Sequence, residues 1–216
     1  TAATSGWLPA LGQTLLLAGA STAVALFLAV VWLESEDRCG HRRSARAWIH
    51  LPLLVPQIGF LAGLNTLFLS IGVGNGWLAV VWVHVLFVFP YVMIALVDAW
   101  QGLDPRLLKS AAALGAGPWK RLLRIKLPVL LSPMTTAAAI GIAVSVAQYL
   151  PTLFMGAGRI STLTTEAVAL ASGSDRRITA VYASLQAAVP LAGYLLALAV
   201  PLLVHRNRRG LLVVPR

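Results

Sequence analysis

Five long apolar runs separated by polar segments organise this chain: Thr14 to Leu33, Leu51 to Ile71, Trp77 to Val97, Leu127 to Leu150 and Ile178 to Val204. Each can cross a hydrocarbon core, which takes about 20 residues at about 1.5 Å of rise apiece. None of the five contains Asp, Glu, Lys or Arg. The pattern predicts an all-α, polytopic membrane helix bundle with about five transmembrane helices, forming one domain over residues 1–216. Two intervening segments are long enough to have structure of their own, 104–128 and 151–177.

The first of these, DPRLLKSAAALGAGPWKRLLRIKLP, is a basic, helix-forming island between two apolar runs. Asp104 is a good N-cap and Pro105 suits the first helical position, so a helix is expected through Leu107, Leu108, Ala111 and Leu114. Gly115 and Gly117 then stop it. Pro118 opens a second helix, with Lys120, Arg121, Arg124 and Lys126 expected at the headgroup surface and Leu122, Leu123 and Ile125 against apolar material. Pro128 and Pro133 fall in the first turns of the next span, where a missing amide costs least. The small side chains at 110–113 offer a surface that a partner can approach closely. Physics alone leaves two readings open, a docking element and an amphipathic linker on the membrane.

Composition agrees with the pattern: 58% of residues are hydrophobic and 11% charged, outside the range of soluble domains. The net charge of +10 raises the question of nucleic acid, and the placement of the basic residues answers it. Arg38, Arg42, Arg43 and Arg46 follow the first run, Arg106, Lys109, Lys120, Arg121, Arg124 and Lys126 lie in the island, and Arg206, Arg208, Arg209 and Arg216 form the tail. Only Arg159, Arg176 and Arg177 fall on the opposite side of the predicted membrane. Short loops rich in Lys and Arg stay in the cytoplasm, which puts the N-terminus outside, the C-terminus inside and the island in the cytoplasm. No basic groove interleaved with aromatics is present, so nucleic acid is not an expected partner.

The chain begins at Thr1 with no basic n-region of a signal peptide and no initiator methionine, as expected of a processed, trimmed or excised polypeptide. Cys39 has no partner for a disulfide or a metal site, and reads as a plain thiol.

Ion-coupled transporters usually carry ionisable residues at depth, and these spans lack them, which points to an energy source outside the chain. Candidates for a solute path are the polar residues at depth, Gln57, Asn65, His84, Gln148, Tyr149 and Gln186; each type is also a common interhelical hydrogen-bond partner. Prolines and glycines inside the spans, among them Pro56, Gly59, Gly63, Pro90, Gly141 and Gly193, mark either bends or ordinary close packing, and packing is the expectation for most. The segment 151–177, with an apolar middle from Leu163 to Ala171 and the charges Arg159, Glu166, Asp175, Arg176 and Arg177, is expected to meet an external protein. A membrane enzyme would need a nucleophile and base at depth; no Gly-x-Ser-x-Gly or His-Glu-x-x-His motif occurs, and no catalytic or metal residues are expected. A secondary transporter or a channel without an ATPase partner is the alternative function.

The island also carries a spaced motif. The permease subunits of bacterial binding-protein-dependent ABC importers have, in a cytoplasmic loop, Glu-Ala-Ala, three residues, Gly, nine residues, then Ile, any residue, Leu-Pro. This chain resembles that family: Gly115 takes the glycine, Ile125, Leu127 and Pro128 fall at the required distances, and Lys109, Ser110 and Ala111 occupy the Glu-Ala-Ala positions. Asp104-Pro105, Leu114-Gly115-Ala116 and Gln13-Thr14-Leu15-Leu16-Leu17 also look like this family, so the similarity covers essentially the whole chain. The chain departs from the family at Lys109, where the pattern has an acid, which removes any ion pair to the ATPase that depends on that acid. The resemblance implies a permease that docks a cytoplasmic ATP-binding subunit through Lys109, Ser110, Ala111, Gly115, Ile125, Leu127 and Pro128. It also implies a second permease half or subunit, an external solute-binding protein, and a multi-pass place in the bacterial inner membrane. No cofactor is implied in this chain; ATP and Mg belong to the partner ATPase. The nearest likeness is to permeases of the iron(III), thiamine or polyamine type, including fused ones of which this would be the second half.

Overall fold

The computed structural model describes residues 6–39, 51–72, 74–173, 176–204 and 206, and the described residues are helical with short connections. In chain order the helices are α1 (Trp7–Cys39), α2 (Leu51–Leu54), α3 (Gln57–Ser70), α4 (Trp77–Gln101), α5 (Pro105–Ala113), α6 (Pro118–Arg121), α7 (Leu127–Val129), α8 (Leu131–Ala147), α9 (Leu150–Gly156), α10 (Leu163–Ala171) and α11 (Arg176–Val204). A wider π turn, Leu122–Lys126, joins α6 to α7. Arg42, Arg43, Arg46, Arg208, Arg209, Arg216 and Asp175 lie outside the described residues, as does the side chain of Cys39.

The predicted bundle is present, but its spans are not five equal rods. Among the described residues α1, α4 and α11 are long and apolar enough to cross a membrane, and α6–α8 make a fourth crossing only if a 74° break is counted within one span. The second apolar run is divided. Pro56 lacks an amide to donate and pushes Val55 away from helical geometry, so the chain breaks between α2 and α3. The 14 residues of α3 reach about 21 Å, short of the roughly 30 Å hydrocarbon core. The fourth run ends early for a related reason: the ring of Pro151 would crowd the carbonyl of Ala147 in a continuous helix, and the backbone instead extends at Gln148, with ψ 104°.

Helix α4 is the centre of the bundle. It packs against α1 and α8, while α11 lies outermost on α8 with most of its surface uncovered. The core follows α4 from end to end. At one end Val88, Val92, Leu96 and Trp100 pack with Ala25, Ala29 and Leu33 of α1 and with Leu122, Leu130 and Ala137. Towards the other, Val80, Val83 and Phe87 pack with Leu17, Leu61 and Met155.

Small residues set how closely the helices approach. A Cβ on Gly141 would sit 2.7 Å from Cγ2 of Thr22 and 3.3 Å from Cγ1 of Val88, so α8 touches α1 and α4 only because the side chain is absent. Gly59 and Gly63 have nothing within 4 Å of such a Cβ. Pro90 is accommodated within a continuous α4.

The segment after α8 is more than a connector. Helix α10 coincides with the apolar middle picked out in the sequence and is held by a capping box between Thr162 and Thr165. Its inner face is buried: Leu163 and Ala167 pack with Ala10 and Tyr182, and Thr164 is buried beside them. The Leu163 amide donates to Thr14 Oγ1 at 2.9 Å, and Thr164 Oγ1 donates to the carbonyl of Val146. Arg159 donates through Nη2 to the carbonyl of Asn75 at 2.5 Å, so this charge ties two connections together.

Candidate functional site: a projecting loop and an intramembrane cleft

The island forms as its residues dictate. The Asp104 carboxylate accepts the Arg106 amide at 2.8 Å, and Pro105 occupies the first turn of α5. The helix ends in a Schellman turn. Gly115 adopts φ +77°, its amide donates to Ala112, and the Ala116 amide donates to Ala111, both at 2.9 Å. The left-handed conformation is costly for a residue with a Cβ, which is why the stop falls on a glycine. No residue of α5 is buried. Leu107 is exposed, Leu114 is 88% exposed and Trp119 is exposed, so the tip of the loop shows apolar side chains on a helix that stands clear of the bundle.

The motif residues divide into two groups. Lys109, Ser110 and Gly115 are exposed and Ala111 half-buried in the projecting part, whereas Ile125, Leu127 and Pro128 are half-buried at the root, with Leu127 packed on the core around α4. The π turn contains Ile125 and leads into Leu127 and Pro128, and its defining bond runs from the Leu127 amide to the Leu122 carbonyl. Pro128 accounts for the widening: it cannot donate to Arg124, and its ring would crowd that carbonyl in an ordinary turn. Leu123 is exposed, and Leu122 is buried.

Lys126 overturns the headgroup expectation. It is only 5% exposed and points into the bundle, where Nζ lies 2.5 Å from Glu34 Oε2 and 2.6 Å from Asp37 Oδ2. A buried ammonium is tolerated only when paired, and the last turns of α1 supply the carboxylates. The extension of α1 to Cys39 therefore brings charge into the end of the bundle, where the apolar run alone showed none. The sequence did contain a signal, Glu34, Glu36 and Asp37 directly after the first run, but nothing local pairs it with a residue 92 positions away.

At depth, the polar candidates separate. His84 is 1% exposed and fully engaged: Nδ1 lies 2.8 Å from Ser145 Oγ and Nε2 2.9 Å from Thr152 Oγ1. Ser21 Oγ is 3.0 Å from Ser145 Oγ, and Thr152 Oγ1 donates to the carbonyl of Gln148 at 3.0 Å. One assignment has Ser145 donating to Nδ1, Nε2–H to Thr152 and Thr152 to Gln148, while the single hydroxyl hydrogen of Ser21 is shared between Ser145 Oγ and the Leu17 carbonyl, 2.8 Å away. These bonds connect α1, α4, α8 and α9, so His84 ties four helices together, and it does not line the neighbouring cleft. Ser21, Ser145 and Thr152 are small hydroxyl residues whose role the sequence did not reveal.

Gln148 and Tyr149 line a cleft of about 560 Å³ together with Gln57, Tyr91, Phe87 and residues of α2. The break after α8 creates it, because a continuous helix would carry these side chains past the opening. Gln148 is 8% exposed, donates through Nε2 to the His84 carbonyl at 3.4 Å, and leaves Oε1 without a protein partner. Tyr91 was missed by the sequence reading because an isolated tyrosine in an apolar run has no distinguishing spacing. Gln186 borders a separate hollow of about 270 Å³ between α8 and α11, and Asn65 reaches neither. Among the described residues no group of three or more His, Cys, Asp or Glu is arranged to hold a metal ion.

The stretch that holds the projecting capped helix, the proline-broken root and the bundle around α4 matches one family model, binding-protein-dependent transport system inner membrane component, over residues 14–209. The chain belongs to this family. Among individual proteins it is 42% identical over 202 residues to the inner membrane ABC transporter permease protein YnjC of Escherichia coli K12, covering 94% of this chain and 39% of that protein. The spermidine/putrescine transport system permease protein PotC of Haemophilus influenzae is 26% identical, over 60% of this chain and 47% of its own. The molybdenum transport system permease protein ModB of Azotobacter vinelandii is 27% identical, over 69% and 73% respectively. This chain thus spans less than half the length of YnjC and of PotC. Within the binding-protein-dependent family it is a membrane component, and the motif of Gly115 to Pro128 lies inside the matched region.

Proposed function

We propose that this chain is the permease subunit of an ATP-driven ABC importer, that α5 and the turn at Gly115 dock a cytoplasmic ATP-binding subunit, and that the cleft at Gln148 and Tyr149 lies on the solute path. The observation that carries the reading is α5, a well-capped helix with no buried residue and with Leu107 exposed, followed directly by the exposed Leu114 at its end: an apolar surface that the bundle leaves uncovered. Lys109, Ser110, Ala111 and Gly115 then meet the ATPase, while Ile125, Leu127 and Pro128 fix the loop to the spans. Closure of the ATPase pair, with ATP and Mg bound there, rocks this bundle against a second permease half. An external binding protein delivers the solute at the 151–177 side, and the permease itself performs no chemistry.

The cargo belongs with small solutes of the iron(III), thiamine or polyamine kind. The likeness to a permease named for spermidine and putrescine supports this choice, and the one named for molybdenum adds an oxyanion to the panel. Purification of the full complex from membranes tests the function. A stoichiometric ATPase and ATP-dependent uptake are expected; uptake driven by an ion gradient with no ATPase bound refutes it. Thermal stabilisation of the complex by iron(III), thiamine, spermidine or molybdate tests the cargo.

A further inference from the structure

The cluster around Lys126 lies apart from the exposed face of α5 and from the lining of the cleft. The motif leaves its position open, between Ile125 and Leu127, and here it holds a cation that is buried at the root of the loop. Its ammonium contacts Glu34 and Asp37 at 2.5 and 2.6 Å and lies 4.9 Å from the centre of the Trp100 ring. Trp100, near the end of α4, donates Nε1–H to the same Asp37 Oδ2 at 2.9 Å. Glu34 is shared, because its Oε1 accepts from Arg38 Nε at 2.8 Å. The Arg38 guanidinium in turn lies 5.2 Å from the centre of the Trp119 ring, back on the loop. Loop and bundle are therefore tied twice, by Lys126 reaching inward and by Arg38 reaching outward, through one carboxylate.

This arrangement resists partial opening. Lys126 and Glu34 are buried while Asp37 is half-exposed, so separating Lys126 from its carboxylates leaves a buried ammonium unpaired, which is costlier than sliding apolar side chains past one another. A displacement of the loop is then met by movement of α1 and α4 as a body and not by bending at the root. We infer that Lys126 is a positioning residue for energy coupling: the Lys126–Glu34–Asp37–Trp100 cluster is the joint through which movement of the loop is delivered to α1 and α4. The inference rests on the permease reading above.

The test uses the complex purified with its co-purifying ATPase, in vesicles, with Cys39, the single cysteine of the chain, changed to Ser. A reporter cysteine at Leu53, on the cleft wall, is labelled with a membrane-impermeant maleimide with and without ATP and orthovanadate. With the joint intact, ATP and vanadate are expected to change the labelling rate at least fivefold. Lys126→Met, and the neutral triple Glu34→Gln, Asp37→Asn and Lys126→Met, are expected to keep the ATPase bound and hydrolysing, because α5 is untouched, while the change in labelling falls below twofold. Lys126→Arg retains the charge and is expected to retain the response.

A fivefold response surviving in Lys126→Met or in the triple variant overturns the joint. So does failure of the triple variant to accumulate or to bind the ATPase, which would make the cluster a folding staple. Absence of an ATPase from the unaltered complex overturns instead the permease reading beneath it.

Discussion

Replacing Gly115 by Val isolates the loop turn from everything else in the protein. The site is open, with nothing within 4 Å of an added Cβ, so the penalty is conformational and not a clash. A left-handed backbone costs an L-residue roughly 1–2 kcal/mol, and a β-branched side chain sits at the upper end or above. The alternative of leaving φ +77° abandons the two amide bonds to Ala111 and Ala112, each contributing on the order of 1 kcal/mol. Either way the docking geometry becomes about 2 kcal/mol less favourable, which weakens ATPase binding up to roughly 30-fold at about 1.4 kcal/mol per decade. Because α5 buries nothing, the unfolding midpoint of the bundle is expected to stay at the wild-type value. Gly115→Asn is the control, since Asn enters the left-handed region at little cost. Equilibrium binding of the ATPase to the permease in nanodiscs measures the effect. Wild-type affinity in Gly115→Val, or a lowered unfolding midpoint with unchanged affinity, refutes the assignment of this turn to docking.

Gly141→Ala brings a methyl to 2.7 Å from Thr22 Cγ2 and is expected to destabilise the bundle by about 1–3 kcal/mol, read as a lower thermal midpoint in detergent with no direct effect on the loop. Ser145→Ala removes the hydroxyl that joins Ser21 to His84 and leaves a buried ring nitrogen unpaired, a loss of about 1–3 kcal/mol by the same assay. A double cycle of Ser145→Ala with Thr152→Val is expected to be non-additive, because both act on one imidazole. Gln148→Leu removes a buried, unpartnered side-chain carbonyl from a residue of the cleft wall and is expected to lower solute uptake several-fold while ATPase co-purification stays unchanged.

The element most legible in the sequence is the loop. Asp104, Pro105, Gly115 and Pro118 act through their own backbone preferences, so the start of α5, its stop and the start of α6 follow from local chemistry, and the structure has them where expected. The apolar runs likewise announce membrane helices, because composition over about 20 residues is enough to decide burial in lipid. The interruptions at Pro56 and at Gln148–Pro151 were visible as prolines, but whether a proline bends, breaks or is absorbed depends on neighbours: Pro90, central in α4, leaves that helix continuous.

The sequence alone thus determines the class of molecule, the distribution of its loop charges and the form of the projecting loop, since each rests on interactions within a few residues. Tertiary structure decides which polar groups are occupied. His84 was a path candidate until Ser145 and Thr152 took both nitrogens, and Lys126 was a surface charge until Glu34 and Asp37, about 90 residues earlier, enclosed it. A buried polar side chain is defined by its partner, and the partner comes from another helix, at a separation that local sequence patterns do not encode.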